Sequence, residues 1–199
     1  MMLRRQPDDA GSSDNTSDEE LLSAFMRGER EMFAELVHRY EAPLYGFICR
    51  LTGSPDRAPD LFQETFMRAF EGAGTFSGAS SFRTWLYAIA ANVCRSQGRK
   101  ERRAKHADIE VSPEPANGSP GPDGAADSRE IGHRIAQAVG ELPDEQREVF
   151  ILKVYQDMTY PEVAEAVARP IGTVKSQMRL AVAKLRAELR GLAEAHGVG

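Results

Sequence analysis

Apolar residues recur every three or four positions along most of the chain, the period of a helix with one face turned inward. A first run, Leu21, Leu22 and Phe25, follows Ser17 and Glu20 at capping-box spacing, which marks a helix start. A longer run holds Phe33, Leu36, Val37, Tyr40, Leu44, Phe47, Ile48 and Leu51 in register through Pro43, a candidate kink. Past the break Thr52-Gly53-Ser54-Pro55, the stripe Phe62, Phe66 and Phe70 predicts a third helix. The segment EGAGTFSGASS, residues 71 to 81, reads as a loop. A fourth helix starts near Phe82 and stacks Phe82, Trp85, Leu86, Ile89, Ala90 and Val93 on one side.

The pattern then stops. ADIEVSPEPANGSPGPDGAADS, residues 107 to 128, has little to bury and predicts a disordered tether. Helical period resumes at Ile131, Ile135, Ala138 and Val139. It restarts after Leu142-Pro143-Asp144, with Val149, Phe150, Leu152 and Val154 expected on the inner side. Thr159 and Glu162 form a second capping-box pair, with Pro161 in the first turn and Val163, Ala164 and Val167 as a short apolar face. Ala168-Arg169-Pro170 predicts a tight turn, because the residue before proline is pushed out of helical geometry. From Ile171 a last helix sets Val174, Met178, Ala181, Val182, Leu185 and Leu189 inward. Ser176, Arg179, Leu180 and Ala183 fall on the opposite face, flanked by Thr173, Lys175 and Lys184. The expected fold is all-α, with two small helical domains joined by a flexible linker. Its parts are an acidic disordered tail over 1–16, a first domain over 17–106, the linker over 107–128 and a second domain over 129–192.

A short helix, a turn and a second helix with basic and hydroxyl side chains outward is the helix-turn-helix pattern, whose second helix enters a DNA major groove. Spacing alone also fits an ordinary helical hairpin with a solvated basic face. The formal net charge of -5 excludes a uniformly basic nucleic-acid coat. Its distribution is the informative feature. Acid gathers in the N-terminal tail and between Asp108 and Glu130, whereas Arg95, Arg99, Lys100, Arg102, Arg103 and Lys105 form a basic run broken by Glu101. Phe76, alone in a loop beside that basic helix, is placed to stack on an exposed base, although most aromatic residues of this block read as core.

No apolar stretch approaches the roughly 20 residues needed to span a bilayer, and MMLRRQPDDAGSSDN holds no signal-peptide run, so a cytoplasmic protein without membrane insertion is expected. Two cysteines and four histidines show no metal-ligand spacing. A glycine-rich phosphate loop, a nucleophile elbow and a zinc-protease helix are also absent, so no metal, cofactor or catalytic residue is assigned and an enzyme is not expected.

With both blocks in view, the chain resembles the extracytoplasmic-function sigma factors, small two-domain members of the sigma-70 family. DLFQETF (60–66) and FRTWLYAIAANVC (82–94) match the family's region-two patterns. LPDEQREVFILK (142–153), TYPEVAEAV (159–167) and PIGTVKS (170–176) match region four. The resemblance implies binding to bacterial core RNA polymerase, through the beta-prime clamp and beta flap, and to promoter DNA, with an anti-sigma factor as a further partner. It implies a polymerase-binding surface at Asp60, Gln63 and Glu64. It implies minus-ten contacts from Phe76, Arg83, Trp85, Asn92, Arg95, Arg99 and Lys100, and minus-thirty-five contacts from Thr173, Lys175, Ser176, Gln177 and Arg179.

Departures from the family pattern are local. Pro59 replaces a usual acidic residue, Ala88 and Ala91 replace common arginines, and Gln177, Leu180 and Val182 stand where basic residues are frequent. Fewer cations on the last helix imply weaker phosphate attraction and a shallower salt dependence. The alternatives are a stand-alone helix-turn-helix regulator, which has no need of a polymerase-docking helix, and a sigma-like decoy that binds polymerase or an inhibitor without starting transcription.

Overall fold

The structure, a computed structural model, describes residues 16–107 and 126–195. The acidic tail and most of the expected tether lie outside the described residues. Helix nevertheless occupies both ends of the segment assigned to the tether, because α4 runs to Ala107 and α5 starts at Ala126.

The first unit comprises α1 (Asp18–Met26), α2 (Glu31–Thr52), α3 (Ala58–Gly72) and α4 (Phe82–Ala107). Both halves of the Ser17 capping box form: the Glu20 N–H donates to Ser17 Oγ at 3.2 Å, and the Ser17 N–H donates to Glu20 Oε2 at 2.8 Å. These bonds hold the Glu20 carboxyl below the usual glutamate range. Asp18 and Glu19 then fix α1 to its neighbours. Asp18 accepts from Arg39 at 3.0 Å and from the Tyr40 hydroxyl at 2.5 Å, while Glu19 accepts from the Phe82 N–H at 2.8 Å. A free amide at the start of α4 is thereby satisfied from another helix. Leu22, Leu36, Leu44, Phe47, Ile48, Phe82 and Leu86 fill the core, and Phe47 meets Tyr87 edge to face at 5.1 Å. Helix α2 continues through Pro43, which is exposed, and ends on Gly53 in the left-handed region at φ 65°.

The second unit comprises α5 (Ala126–Gly140), α6 (Asp144–Phe150), α7 (Tyr160–Ala166) and α8 (Ile171–Ala195). Leu142, Val149, Ile151, Leu152, Met158, Val163 and Val174 make its core. Val154, expected inside, is 50% exposed, and Ile151 is buried instead. The cause is a π turn over Ile151–Tyr155, closed by the Gln156 N–H donating to Ile151 O at 3.2 Å. Its wider winding shifts the phase of the apolar stripe by part of a turn.

The two units share one continuous buried core. Helix α4 lies between them, so Tyr87 and Ala91 are buried as well as the stripe that faces α2 and α3. Among the described residues, polar contacts cross the junction at several points. The Tyr87 hydroxyl donates to Gln156 Oε1 at 2.5 Å and Arg147 donates to the Leu51 carbonyl at 3.0 Å. Arg95 pairs with Glu148 at 2.6 Å, and Arg102 with Asp144 at 2.7 Å. The Arg50 guanidinium also lies 4.6 Å from the centre of the Tyr155 ring.

Candidate functional site

Three surfaces carry the residues singled out from the sequence. The first is the outer side of α8, positioned by α7 and the turn between them. Helix α7 starts in a complete capping box: the Thr159 N–H donates to Glu162 Oε2 at 2.7 Å and the Glu162 N–H donates to Thr159 Oγ1 at 3.4 Å. Its bonds to Thr159 hold the Glu162 carboxyl below the usual range. At the turn, Ala168 takes a left-handed backbone at φ 53°, and the Arg169 N–H closes on the Ala164 carbonyl at 2.9 Å. Arg169 also pairs with Glu145 at 3.0 Å, which ties the turn to α6.

Val174 and Ala181 are buried beneath α8, whereas Thr173, Arg179 and Leu180 are exposed and Ser176 is half-buried. Two of the expected DNA contacts sit at the edges instead. Gln177 donates to Glu145 Oε2 at 3.3 Å, so it lies on the side of α8 next to α6. The Lys175 ammonium lies 5.8 Å from the Tyr160 ring, held beside α7 by attraction to the ring face.

The second surface is α4 with the loop that precedes it. Ser81 opens α4 by accepting from the Thr84 N–H at 3.1 Å, and Trp85 lies over Gly72. Phe76 is not alone, contrary to the reading from the sequence. Its ring packs 5.4 Å from Trp85 and 6.4 Å from Phe82, and Phe76 and Trp85 are both half-buried. Phe76 is the one large apolar side chain in the loop sequence.

Along α4 the polar residues diverge. Asn92, Arg99 and Lys100 are exposed, with Arg99 donating to Ser96 Oγ at 3.2 Å. Arg83 is half-buried, and its charge acts on Tyr40, Tyr87 and Glu162. Arg95 donates to Asn92 Oδ1 and forms the ion pair with Glu148, so it is occupied at the junction. The Glu148 side chain is only 3% exposed, and burial raises its carboxyl above the usual range despite the opposing pull of Arg95. Burial likewise pushes the Tyr87 hydroxyl up to about 12 and the Cys94 thiol up to about 12, so neither ionises near neutrality.

The third surface is the outer side of α3. A 3-10 turn over Pro55–Arg57 leads into the helix, and Pro59 sits in its first turn, where a missing N–H is tolerated. Asp60 and Gln63 are exposed. Glu64 is half-buried and accepts from Arg68 at 2.6 Å, one turn on. Met67, 53% exposed, completes this strip and was not picked out from the sequence. Its position three residues after Glu64 and four after Gln63 was the available signal.

Among the described residues no helix is long and apolar enough to cross a membrane. Residues 36–104 match the family description Sigma-70 region 2, and residues 132–185 match Sigma-70, region 4. The chain is 31% identical to the ECF RNA polymerase sigma factor SigW of Bacillus subtilis over 179 residues, covering 83% of this chain and 93% of that protein. It is 30% identical to the RNA polymerase sigma-H factor of Pseudomonas aeruginosa over 170 residues, covering 81% and 88%. Among solved structures, the sigma factor RpoE of Bartonella quintana, in complex with the anti-sigma factor NepR, superimposes with a TM-score of 0.69 at 28% identity. That match covers 79% of this chain and 96% of RpoE. Two matched regions in this order, together with relatives aligned over most of their length, place the chain in the extracytoplasmic-function branch of the sigma-70 family of RNA polymerase sigma factors.

Proposed function

We propose that this protein binds bacterial core RNA polymerase and gives it promoter specificity, the first unit acting on the minus-ten element and the second on the minus-thirty-five element. The observation that carries the reading is the pairing of an exposed polar strip on α3 with an exposed hydroxyl and arginine strip on α8, each on its own matched family region. Asp60, Gln63 and Glu64 dock the polymerase clamp. Thr173, Ser176 and Arg179 meet the minus-thirty-five duplex, with Lys175 beside its phosphates.

On α4 and its loop, Asn92, Arg99 and Lys100 are accessible to a melted strand. The Phe76, Trp85 and Phe82 cluster supplies an aromatic wall against which a base taken out of the stack can rest. Arg95 reaches a phosphate only after leaving Glu148, so promoter engagement on this reading separates the two units at α4. The protein acts in the cytoplasm as a non-catalytic initiation factor. An anti-sigma factor is a proposed partner, by analogy with the Bartonella quintana complex.

The test is run-off transcription with core polymerase from the source bacterium on upstream fragments of its genome. Discrete starts that depend on the protein, and vanish when Asp60, Gln63 and Glu64 are changed together to alanine, are the expected result. Binding to DNA fragments without co-elution with polymerase would instead support a stand-alone regulator.

A further inference from the structure

Helix α8 has an outward strip that its own packing does not use. Val174 and Ala181 point inward, and Gln177 and Lys175 are drawn to Glu145 and Tyr160 at the two edges. Thr173, Ser176, Arg179 and Leu180 remain on the outside over successive turns. Leu180 is 48% exposed among two hydroxyl residues and an arginine. Ala183, three residues on and exposed, is small, so a close surface can approach Leu180 on that side. Among the described residues Arg179 has no hydrogen-bond or ion-pair partner.

A hydroxyl pair and a free guanidinium suit a duplex groove, in which arginine reads guanine and Ser or Thr hydroxyls bond to base edges. The major groove also has one apolar feature, the C5-methyl group of thymine. We infer that Leu180 is a specificity residue that reads a thymine methyl in the duplex held by α8, close to the base that Arg179 contacts. Leu180 follows Ser176 by one helical turn, about 6 Å along the axis, and is splayed about 100° from Arg179, so the two side chains address different bases. The inference rests on the reading of α8 as the minus-thirty-five helix.

The experiment selects duplexes with a randomised upstream half on the full chain bound to core polymerase, then compares thymine with deoxyuridine, which lacks only the methyl. The wild type is expected to enrich a thymine near the guanine that depends on Arg179, and to lose about threefold to fourfold in affinity when deoxyuridine replaces it. Leu180→Ala is expected to bind the two duplexes equally while keeping the guanine preference. Equal binding of both duplexes by the wild type would overturn the inference and leave α8 as a DNA helix. If Arg179→Ala changes no base preference, the reading of α8 itself fails and the inference falls with it. Weaker polymerase binding by Leu180→Ala with unchanged base preference would mark Leu180 as a protein contact, also against the inference.

Discussion

Helices α4 and α8 both read as basic helices with an inner stripe, yet their cations are placed differently. On α4, Arg95 and Arg102 are drawn into ion pairs with Glu148 and Asp144 of the second unit, whereas Arg179 on α8 has no such partner among the described residues. The difference lies in what covers the outer side of each helix. The second unit covers α4 along Tyr87, Ala91 and Arg95 while Asn92, Arg99 and Lys100 stay exposed, and α8 presents its outer side to solvent. A basic run in a sequence therefore marks a surface that meets anions, and the anion can be a carboxylate of the same chain as readily as a phosphate.

Substitution of these two arginines gives the sharpest contrast. Arg95→Ala is expected to leave Glu148 buried without its partner and to weaken the junction by about 2–3 kcal/mol, somewhat below a fully buried pair because Arg95 is half-buried. Chemical denaturation reads the loss. An unchanged unfolding midpoint would show that the pair contributes nothing to the closed arrangement. Arg179→Ala is expected to move stability by less than about 0.5 kcal/mol. It should nevertheless lower affinity for a promoter duplex about tenfold, from loss of a base contact and a phosphate attraction, which a filter-binding titration measures.

Acidity sharpens the same comparison at the junction. Burial raises the Glu148 carboxyl, so the protonated form is favoured in the closed state relative to a solvated glutamate. The contribution of this group is therefore full below the ordinary glutamate value near 4.5 and is lost as pH rises through its raised value. Relative to Glu148→Gln, which fixes a neutral side chain of the same shape, the wild-type junction should weaken with rising pH across that window. Energy transfer between labels on α2 and α6 follows the change, and parallel profiles for the two proteins would contradict it. The smallest expected effect is at the α7–α8 turn. Ala168→Gly removes a left-handed alanine and should stabilise the protein by up to about 1 kcal/mol, measured by thermal unfolding.

Much of the fold was legible because local chemistry sets it. The pairs Ser17 with Glu20 and Thr159 with Glu162 cap α1 and α7, and the Ala168-Arg169-Pro170 turn separates α7 from α8 as the spacing predicts. The inward residues of α8 were readable for the same reason, since one face is packed and one is solvated. What escaped the sequence depends on partners distant in the chain. Tyr87 and Ala91 are buried because a second unit covers α4, and Gln156, 69 positions from Tyr87, supplies the acceptor for its hydroxyl. Gln177, which the resemblance sets among the minus-thirty-five contacts, lies beside Glu145 of α6, and Phe76 reads as isolated although Trp85 and Phe82 fold back to meet it. Val154 failed for a different reason, the π turn, which breaks the period that the reading assumed.

The claim that α4 is covered in the free protein and uncovered in use is tested most directly by locking the junction. Cysteines in place of Arg50 and Tyr155, whose side chains meet across it, can be joined by a short thiol-cleavable cross-linker in a Cys49→Ser background. Run-off transcription with core polymerase is then measured before and after cleavage. The locked protein is expected to support no specific starts and to regain them on cleavage. Starts from the locked protein equal to those after cleavage would contradict the account.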